Sequence, residues 1–319
     1  MEVRVLCTGQ SGLDKKSQLQ AAARYAQERY GRQVRLFHVG DMMYAADPRI
    51  PPGKILDVDL PRLHTLRRLV FRDILRALEQ EDRPTIIDTH ATFRWRRGLF
   101  IAFDFEDLHA IQADIYITIV DDIDAIKLRL LQAQPSAPEF TLKDLLVWRE
   151  EEIIATELMS RIPGKRAEFY ILARPDVPTL LPRLMFEGKV LRKAYISFPI
   201  SHVMHLPEVV RAINAFRRAI RECLITFDPY TLQEKRMEYA LKQALEGSEV
   251  PEFIEIPIEG ERLRLPTAEV QAVLRDIDGQ IVSRDFRLID QSDLILAFFP
   301  DDGGEPIISP GVMRELTYA

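Results

Sequence analysis

The sequence predicts an α/β protein of two domains, each a doubly wound parallel sheet flanked by helices. Short apolar runs typical of buried strands alternate with longer runs typical of helices, and this alternation restarts after a proline-containing, basic stretch at 173–192. Strands that alternate with helices form parallel βαβ units with right-handed crossovers. The 319 residues suffice for two domains, which we place at 1–190 and 191–319.

The elements of the first domain follow from hydrophobic periodicity and from turn residues. Short apolar runs predict strands at 3–7, 33–38, 85–88, 115–120 and 168–172. Runs of helix-forming residues, the longest opening at a proline and carrying one apolar stripe, predict helices at 18–30, 61–79, 123–133 and 142–162. The proline-containing segment 134–138 is predicted to break the chain.

The second domain repeats the pattern. Strands are predicted at 194–198, 224–227 and 294–299, and helices at 207–223, 232–245, 270–290 and 311–319. The third of these helices is expected to break near Gly279, because glycine weakens a helix interior. The stretch 246–266, with several Glu, Pro and Gly residues, is expected to be an irregular excursion.

Composition excludes several classes of protein. A net charge of −6 is not typical of a dedicated nucleic-acid binder, which usually carries a basic excess. The two cysteines, Cys7 and Cys223, are too few for a disulfide framework or a structural zinc site. No apolar run approaches the ~18–20 residues of a membrane span. We therefore expect a cytoplasmic protein, and we expect it to be a homo-oligomer whose partners are small molecules.

A glycine-containing loop follows the first predicted strand and precedes a helix. Gly9 and Gly12 lie in this loop, and Lys15, Lys16 and Ser17 follow them. Backbone N–H groups in such a loop converge on phosphate oxygens, and the helix N-terminus adds partial positive charge. Lys15 stands where the pattern G-x-x-x-x-G-K-[ST] has its lysine. The loop therefore predicts binding of ATP or another nucleotide; the alternative is an ordinary strand-to-helix turn.

The loop departs from that pattern at two positions. Asp14 replaces the last glycine, and Lys16 replaces the hydroxyl residue that would hold Mg²⁺. A second polar segment begins at Asp88, at the end of another strand, where open α/β sheets bind ligands. Asp88 would lie beside the first loop and could hold Mg²⁺, or could merely cap a turn.

These two segments resemble the archaeal adenylate kinase branch of the P-loop nucleoside monophosphate kinases, whose loop is G-x-P-G-x-G-K-T-T and whose D-T-H-A segment leads into the monophosphate site. The resemblance covers roughly 1–175. It implies a P-loop NTPase-like sheet, ATP at the first loop, and a monophosphate near Asp41 and Arg94. The lid of such kinases carries several arginines, whereas the corresponding stretch here has Arg129, Lys143 and Arg149. The lost loop glycine, the lost Mg²⁺ hydroxyl and the missing lid arginines should weaken phosphoryl transfer more than nucleotide binding.

A second set of polar residues lies in the second domain. Tyr195, Ser197 and Pro199 belong to the end of its first strand and the turn that follows. Glu315 lies in the first turns of the last helix, where the helix dipole would keep a carboxylate ionised. An ionised carboxylate is a nucleophile suited to glycosyl transfer, although an ordinary helix-start Glu has the same spacing.

These segments resemble the nucleoside 2-deoxyribosyltransferase superfamily, whose motifs are Y-x-x-x-P, an Asp near I-x-x-A/S-D, and a final G-x-x-x-E-x-x-x-A. The resemblance covers about 193–319 and implies a Rossmannoid fold. It implies that Glu315 attacks C1′ of a nucleoside or nucleotide and that Asp285 helps the base to leave. It further implies that Tyr195 orients the nucleophile or the sugar. The remaining substrate-binding residues would be Ser197, Pro199, Ser309 and Gly311.

Three functions remain open from the sequence. The leading one joins a degenerate nucleotide kinase-like module to a hydrolase or transferase that cleaves an N-glycosidic bond. The second is a working nucleoside monophosphate kinase whose C-terminal domain only binds ligand. The third is a nucleotide sensor without turnover.

Overall fold

The computed structural model describes residues 2–95, 98–133, 140–200, 203, 205–246 and 250–319. The first module contains β1 (Arg4–Thr8), α1 (Lys15–Tyr30), β2 (Arg35–His38), α2 (Val39–Ala46), α3 (Leu60–Gln80), β3 (Thr85–Asp88), β4 (Thr92–Trp95), β5 (Gly98–Ile101), α4 (Phe105–Ile111), β6 (Ile115–Val120), α5 (Ile123–Ala133), α6 (Leu142–Ser160), β7 (Glu168–Ala173) and α7 (Val177–Glu187). The predicted break at 134–138 lies outside the described residues.

The second module contains β8 (Lys193–Ser197), α8 (Pro207–Cys223), β9 (Ile225–Phe227), α9 (Arg236–Leu245), β10 (Phe253–Ile258), β11 (Glu261–Pro266), α10 (Thr267–Asp290), β12 (Leu294–Ala297), β13 (Asp301–Asp302), β14 (Glu305–Pro306) and α11 (Pro310–Tyr318). None of the described helices is long and apolar enough to cross a bilayer.

The first sheet brings the two predicted ligand loops together. Its five strands run parallel in the order β2-β3-β1-β6-β7. In that order β3 lies between β2 and β1, and Asp88 pairs in register with Cys7 on one side and His38 on the other. The loops after β1, β2 and β3 therefore leave the same edge of the sheet. This arrangement confirms the predicted α/β class with a parallel sheet.

The second sheet is smaller, with three parallel strands in the order β12-β8-β9. Its central strand β8 ends at Ser197, which pairs with Ala297 of β12. The two sheets share one hydrophobic core, in which Tyr170 of β7 stacks on Phe227 of β9 with ring centroids 5.8 Å apart. The division into domains at residue 190 therefore remains a prediction.

One predicted irregular stretch is regular in the structure, and the stretch at the predicted domain boundary contains a helix. The stretch 246–266 contains the antiparallel hairpin β10–β11, whose turn at Glu259 and Gly260 has φ angles of 51° and 85°. Its Ile and Leu residues alternate with exposed polar ones, a period of two that predicts a strand. The stretch 173–192 contains α7, which buries Leu181 and Leu184 and packs on α1. It is therefore not a linker.

The expected helix break near Gly279 is also wrong, because α10 is continuous from Thr267 to Asp290. Buried apolar residues on both sides of Gly279, among them Val273, Ile277 and Leu288, hold the helix against the core. A Cβ atom at Gly279 would meet no atom within 4 Å. Packing therefore overrides the weak helix propensity of one glycine.

We expect Gly279→Ala to raise the free energy of unfolding by about 0.5–1 kcal/mol, because alanine loses less backbone entropy on entering a helix. Gly260→Ala is the matched control, since a Cβ there is equally unobstructed but φ is +85°. That substitution should lower the free energy of unfolding by about 1 kcal/mol, because an L side chain is strained in this region. Denaturant titration measures both, and equal effects would contradict the explanation.

Candidate functional site

The loop after β1 needs its glycines. Gly9 has a φ of 142°, and a Cβ there would lie 2.7 Å from the carbonyl oxygen of Ile119. Gly12 has a φ of 88°, and a Cβ there would lie 2.9 Å from Leu130. Asp14 takes the left-handed conformation, with φ 50°, at the position where the pattern has glycine. The loop thus keeps its bend although the last glycine is lost.

Lys15 lies at the centre of a buried polar cluster. Its ammonium is 3.1 Å from Asp88 Oδ1 and donates to the carbonyl of Thr89. His38 Nδ1 lies 2.9 Å from the other carboxylate oxygen of Asp88. Burial would raise the pKa of Asp88, but the Lys15 charge and the His38 hydrogen bond lower it to about 2. Asp88 is therefore ionised across the whole neutral range.

The proposed Mg²⁺ ligand does not fit a metal site as it stands. Asp88 Oδ2 contacts His38, and Asp88 Oδ1 lies 3.1 Å from the Lys15 ammonium, whose charge opposes a second cation there. Among the described residues, no group of three or more His, Cys, Asp and Glu side chains is arranged to hold a metal ion. Lys16, where the metal's hydroxyl ligand would stand, lies 2.6 Å from Asp41, and Ser17 is exposed. No step is therefore assigned to a metal.

A cavity of about 200 Å³ opens beside Lys15, and we call it the N-terminal cavity. Its polar wall consists of Lys15, Lys16, His38, Asp41, His64, Arg67, Asp88, Thr89 and His90. Its other wall is apolar and includes Leu63 and Phe93. The concentration of cations on one wall suits an anionic ligand with an apolar or aromatic part.

The arginine of this cavity is Arg67, not Arg94. Arg67 donates from Nη2 to Thr89 Oγ1 at 2.7 Å, and its buried Nε has no partner among the described residues. Burial lowers the pKa of Arg67 to about 10, which leaves it charged at pH 7. Arg94, which the sequence places at the monophosphate site, instead pairs with Glu151 of α6 at 2.6 Å. Arg94 does not line the N-terminal cavity.

A carboxylate that sequence reasoning missed holds the start of the loop. Glu152 of α6 is 1% exposed and accepts hydrogen bonds from the backbone N–H groups of Gly9, Ala91 and Thr92 at 2.8–3.0 Å. It also accepts one from the Thr92 hydroxyl at 2.5 Å. The loop after β1 and the loop after β3 are therefore joined through one buried negative charge.

The three cations of the expected lid stretch contact the second module. Arg129 lies 2.7 Å from Glu259 in the β10–β11 turn, and its Nε donates to the carbonyl of Gly12. Lys143 lies 2.7 Å from Asp276 of α10, and Arg149 lies 2.7 Å from Glu234, which precedes α9. In this structure these side chains therefore bind neighbouring carboxylates of their own chain.

The second predicted site forms around a cavity of about 330 Å³, which we call the C-terminal cavity. Asp285, Ser309, Gly311 and Glu315 line it, together with apolar residues of α10, of α11 and of the segment that follows β8. The Ser197 hydroxyl donates to Glu315 Oε2 at 2.5 Å. The end of β8, the middle of α10 and the second turn of α11 thus bring these side chains to one place.

The ionisation of Glu315 differs from the sequence expectation. Glu315 lies in the second turn of α11, and burial raises its pKa to about 7, aided by the charge of Asp285 and opposed by the Ser197 hydrogen bond. The helix dipole, which falls off within the first turn, does not keep it fully ionised. Burial also raises the pKa of Asp285 and, with the charges of Asp285 and Glu315, that of Tyr195.

The remaining predicted residues have local structural tasks. Ser309 is the N-cap of α11, where its hydroxyl accepts from the N–H of Val312 at 3.3 Å. Gly311 lies in the first turn of α11 on the cavity wall. Pro199 is buried between Phe198 and Ile200, both of which line the cavity.

The chain is similar to several solved structures at low sequence identity. No family model and no curated protein matches it. A shikimate kinase from Bacteroides thetaiotaomicron is 14% identical over 57% of this chain and 97% of its own, with a TM-score of 0.36. A putative kinase from Chloroflexus aurantiacus is 13% identical over 70% and 97%, with a TM-score of 0.35.

Proposed function

We propose that this chain is a nucleotide-handling protein whose C-terminal cavity cleaves the N-glycosidic bond of a nucleoside or nucleotide. The observation that supports the proposal is the hydrogen bond from Ser197 to Glu315 in a cavity that Asp285 also lines. Two carboxyl groups that flank one cavity are the minimum set for glycosidic chemistry, in which one is the nucleophile and the other a proton donor.

The step follows from these residues. A carboxylate oxygen of Glu315 attacks C1′ as the bond between C1′ and the base nitrogen breaks, and the base nitrogen takes a proton from Asp285. Burial raises the pKa of Asp285, although the charge of Arg284 opposes this shift, and the step uses the fraction of Asp285 that carries a proton. Water, or the nitrogen of another base, then attacks C1′ and releases Glu315. Hydrolysis and transfer differ only in this second acceptor.

The experiment that tests this function is a chromatographic screen of nucleosides and nucleotides for released base, with and without ATP. Release that depends on Glu315 supports the proposal. Tight binding without product from a broad panel would favour a sensor, and ADP formation from ATP with a monophosphate would favour a working kinase.

A second activity belongs to the first module: we infer that it binds the phosphate group of a nucleotide and transfers it slowly. Lys15 and Arg67 on one wall of the N-terminal cavity favour binding. Three features oppose rapid transfer: Lys16 would repel Mg²⁺, Glu152 holds a negative charge at the loop, and the lid cations are paired elsewhere.

Lys15→Ala is expected to weaken nucleotide binding by roughly 1.5–3 kcal/mol, about 10- to 150-fold in Kd, because a charge-assisted hydrogen bond is lost. Arg24→Ala is the matched control, since Arg24 lies on the same helix α1 but is exposed and does not line the N-terminal cavity. Its effect should stay below about threefold. Titration calorimetry measures both; absence of nucleotide affinity in the native protein would remove this activity.

A further inference from the structure

A row of buried charged side chains runs from the first module to the C-terminal cavity. Arg149 of α6 lies 2.7 Å from one carboxylate oxygen of Glu234, and Arg284 of α10 pairs with the other. Arg284 also lies 3.1 Å from Asp285 Oδ1. We call Arg149, Glu234, Arg284 and Asp285 the charge row.

The charge row is closed off from water and balanced in charge. Arg149, Glu234 and Arg284 are 4%, 7% and 7% exposed, and Asp285 is 9% exposed. Two guanidinium groups face two carboxylates, so that the net charge is zero when both acids are ionised. Removal of one member leaves an uncompensated charge in a medium that screens it poorly, so the remaining members must respond.

Arg149 is also fixed from the side of the first module. It donates to the carbonyl of Asp121, which follows β6, at 3.3 Å. It also donates to Gln280 of α10, whose amide in turn donates to the carbonyl of Leu146. On the same helix, one turn further, Glu152 holds the loop after β1. Helix α6 therefore joins the nucleotide loop to the charge row.

We propose that Arg149 and Glu234 are positioning residues for Asp285, so that the first module completes the C-terminal site. Neither residue lines the C-terminal cavity, and both act through Arg284. The catalytic meaning of this proposal rests on the proposed cleavage of an N-glycosidic bond. The effect of Arg149 and Glu234 on the ionisation of Asp285 does not depend on that cleavage.

The groups that face Asp285 determine the sign of the effect. Arg284 stabilises its ionised form, whereas Glu234 destabilises that form. Among the residues that the structure describes, Tyr195 of β8 and Glu315 of α11 also interact with the charge of Asp285. Loss of the Arg149 charge makes the row negative and raises the pKa of Asp285. Loss of the Glu234 charge makes the row positive and lowers it.

The test is the pH dependence of base release in four variants. One limb of the pH–rate profile has a midpoint that we assign to the titration of Asp285. Arg149→Met should move this midpoint to higher pH, and Glu234→Gln should move it to lower pH, each by about 0.5–1 pH unit. The double variant restores a neutral row and should return the limb to within about 0.3 unit of the native value. Arg287→Met is the control, because it breaks the pair with Glu150 between the same two helices without touching the row; it should leave the limb in place.

Shifts of opposite sign that cancel in the double variant support the proposal. Equal shifts in one direction, or no shift in Glu234→Gln, overturn it. If Arg149→Met does not fold, Arg149→Lys retains the charge and should keep the native limb, while Glu234→Gln still decides the sign.

A readout without turnover separates the two proposals. Carboxyl ¹³C NMR of the Asp-labelled native protein, with Asp285→Asn to identify the resonance, gives the titration midpoint of Asp285 directly. If the native protein releases no base, the proposed function fails. The midpoints in Arg149→Met and Glu234→Gln then still support or overturn the positioning role.

Discussion

Replacement of Glu315 by glutamine is expected to reduce base release about 10⁴-fold or more. The sugar becomes oxocarbenium-like at C1′ as the base departs, and a carboxylate oxygen both stabilises this charge and traps it as a covalent ester. Glutamine keeps the shape and can still accept the hydrogen bond from Ser197, but it is not a nucleophile. Single-turnover kinetics on the substrate found in the screen measure the loss.

Two comparisons make this result specific to the nucleophile. Asp285→Asn should cost less, about 10²-fold, because general acid catalysis typically contributes 10²- to 10⁴-fold and a good leaving base needs less help. Glu305→Gln alters an exposed carboxylate of the same module and should leave the rate unchanged. A 2-fluoro sugar analogue should add its sugar mass to Glu315. Absence of the label, together with normal activity in Glu315→Gln, would remove Glu315 from the mechanism.

The free energy of unfolding of Glu315→Gln shows whether the variant folds. The sign of its change relative to the native protein follows from the pKa of Glu315. Burial raises the pKa of Glu315 from 4.5 to about 7, so the native state binds more protons than the unfolded state between these pH values. Stability therefore falls as pH rises through this interval and is constant above it. Glutamine removes this loss, roughly 2 kcal/mol. The variant should gain stability relative to the native protein between pH 4.5 and pH 8.

Much of the fold could be predicted from local signals, because strands and helices of a parallel sheet leave clear periodic patterns. Of the C-terminal residues named from the sequence, Asp285, Ser309, Gly311 and Glu315 line one cavity, and Ser197 donates to Glu315. The hairpin β10–β11 was missed although its alternating pattern and its Glu259-Gly260 turn are visible in the sequence. The abundant Glu and Pro residues favoured the prediction of an irregular stretch, although the alternating pattern that indicates a strand is present in the sequence.

The polar contacts of the first module were harder to predict. Arg67 lies four residues after Leu63 and four before Phe71, both buried, so helical periodicity could have placed it on the inner face of α3. Glu152 has no comparable signal, because a glutamate among Glu150, Glu151 and Ile153 in a helix is equally compatible with a solvated surface. Only the tertiary contact with the loops after β1 and β3 identifies its task.

The largest expected effect on stability comes from that glutamate. Glu152→Ala should lower the free energy of unfolding by about 3–5 kcal/mol, because three backbone N–H groups and one hydroxyl lose their buried partner. Glu151→Ala is the matched control: the neighbouring glutamate is 26% exposed and makes one ion pair with Arg94. That change should cost less than about 1 kcal/mol.

Denaturant titration of both variants distinguishes two accounts of how α6 is held on the loop after β1. If the Glu152 hydrogen bonds hold it, the two losses differ by at least about 2 kcal/mol, and Glu152→Gln lies between them because its amide can accept only through one oxygen. Equal losses in Glu151→Ala and Glu152→Ala would mean that apolar packing of Leu145, Leu146 and Ile153 holds the helix. In that case the carboxylate could leave the loop when a nucleotide phosphate binds, and it would not oppose phosphoryl transfer.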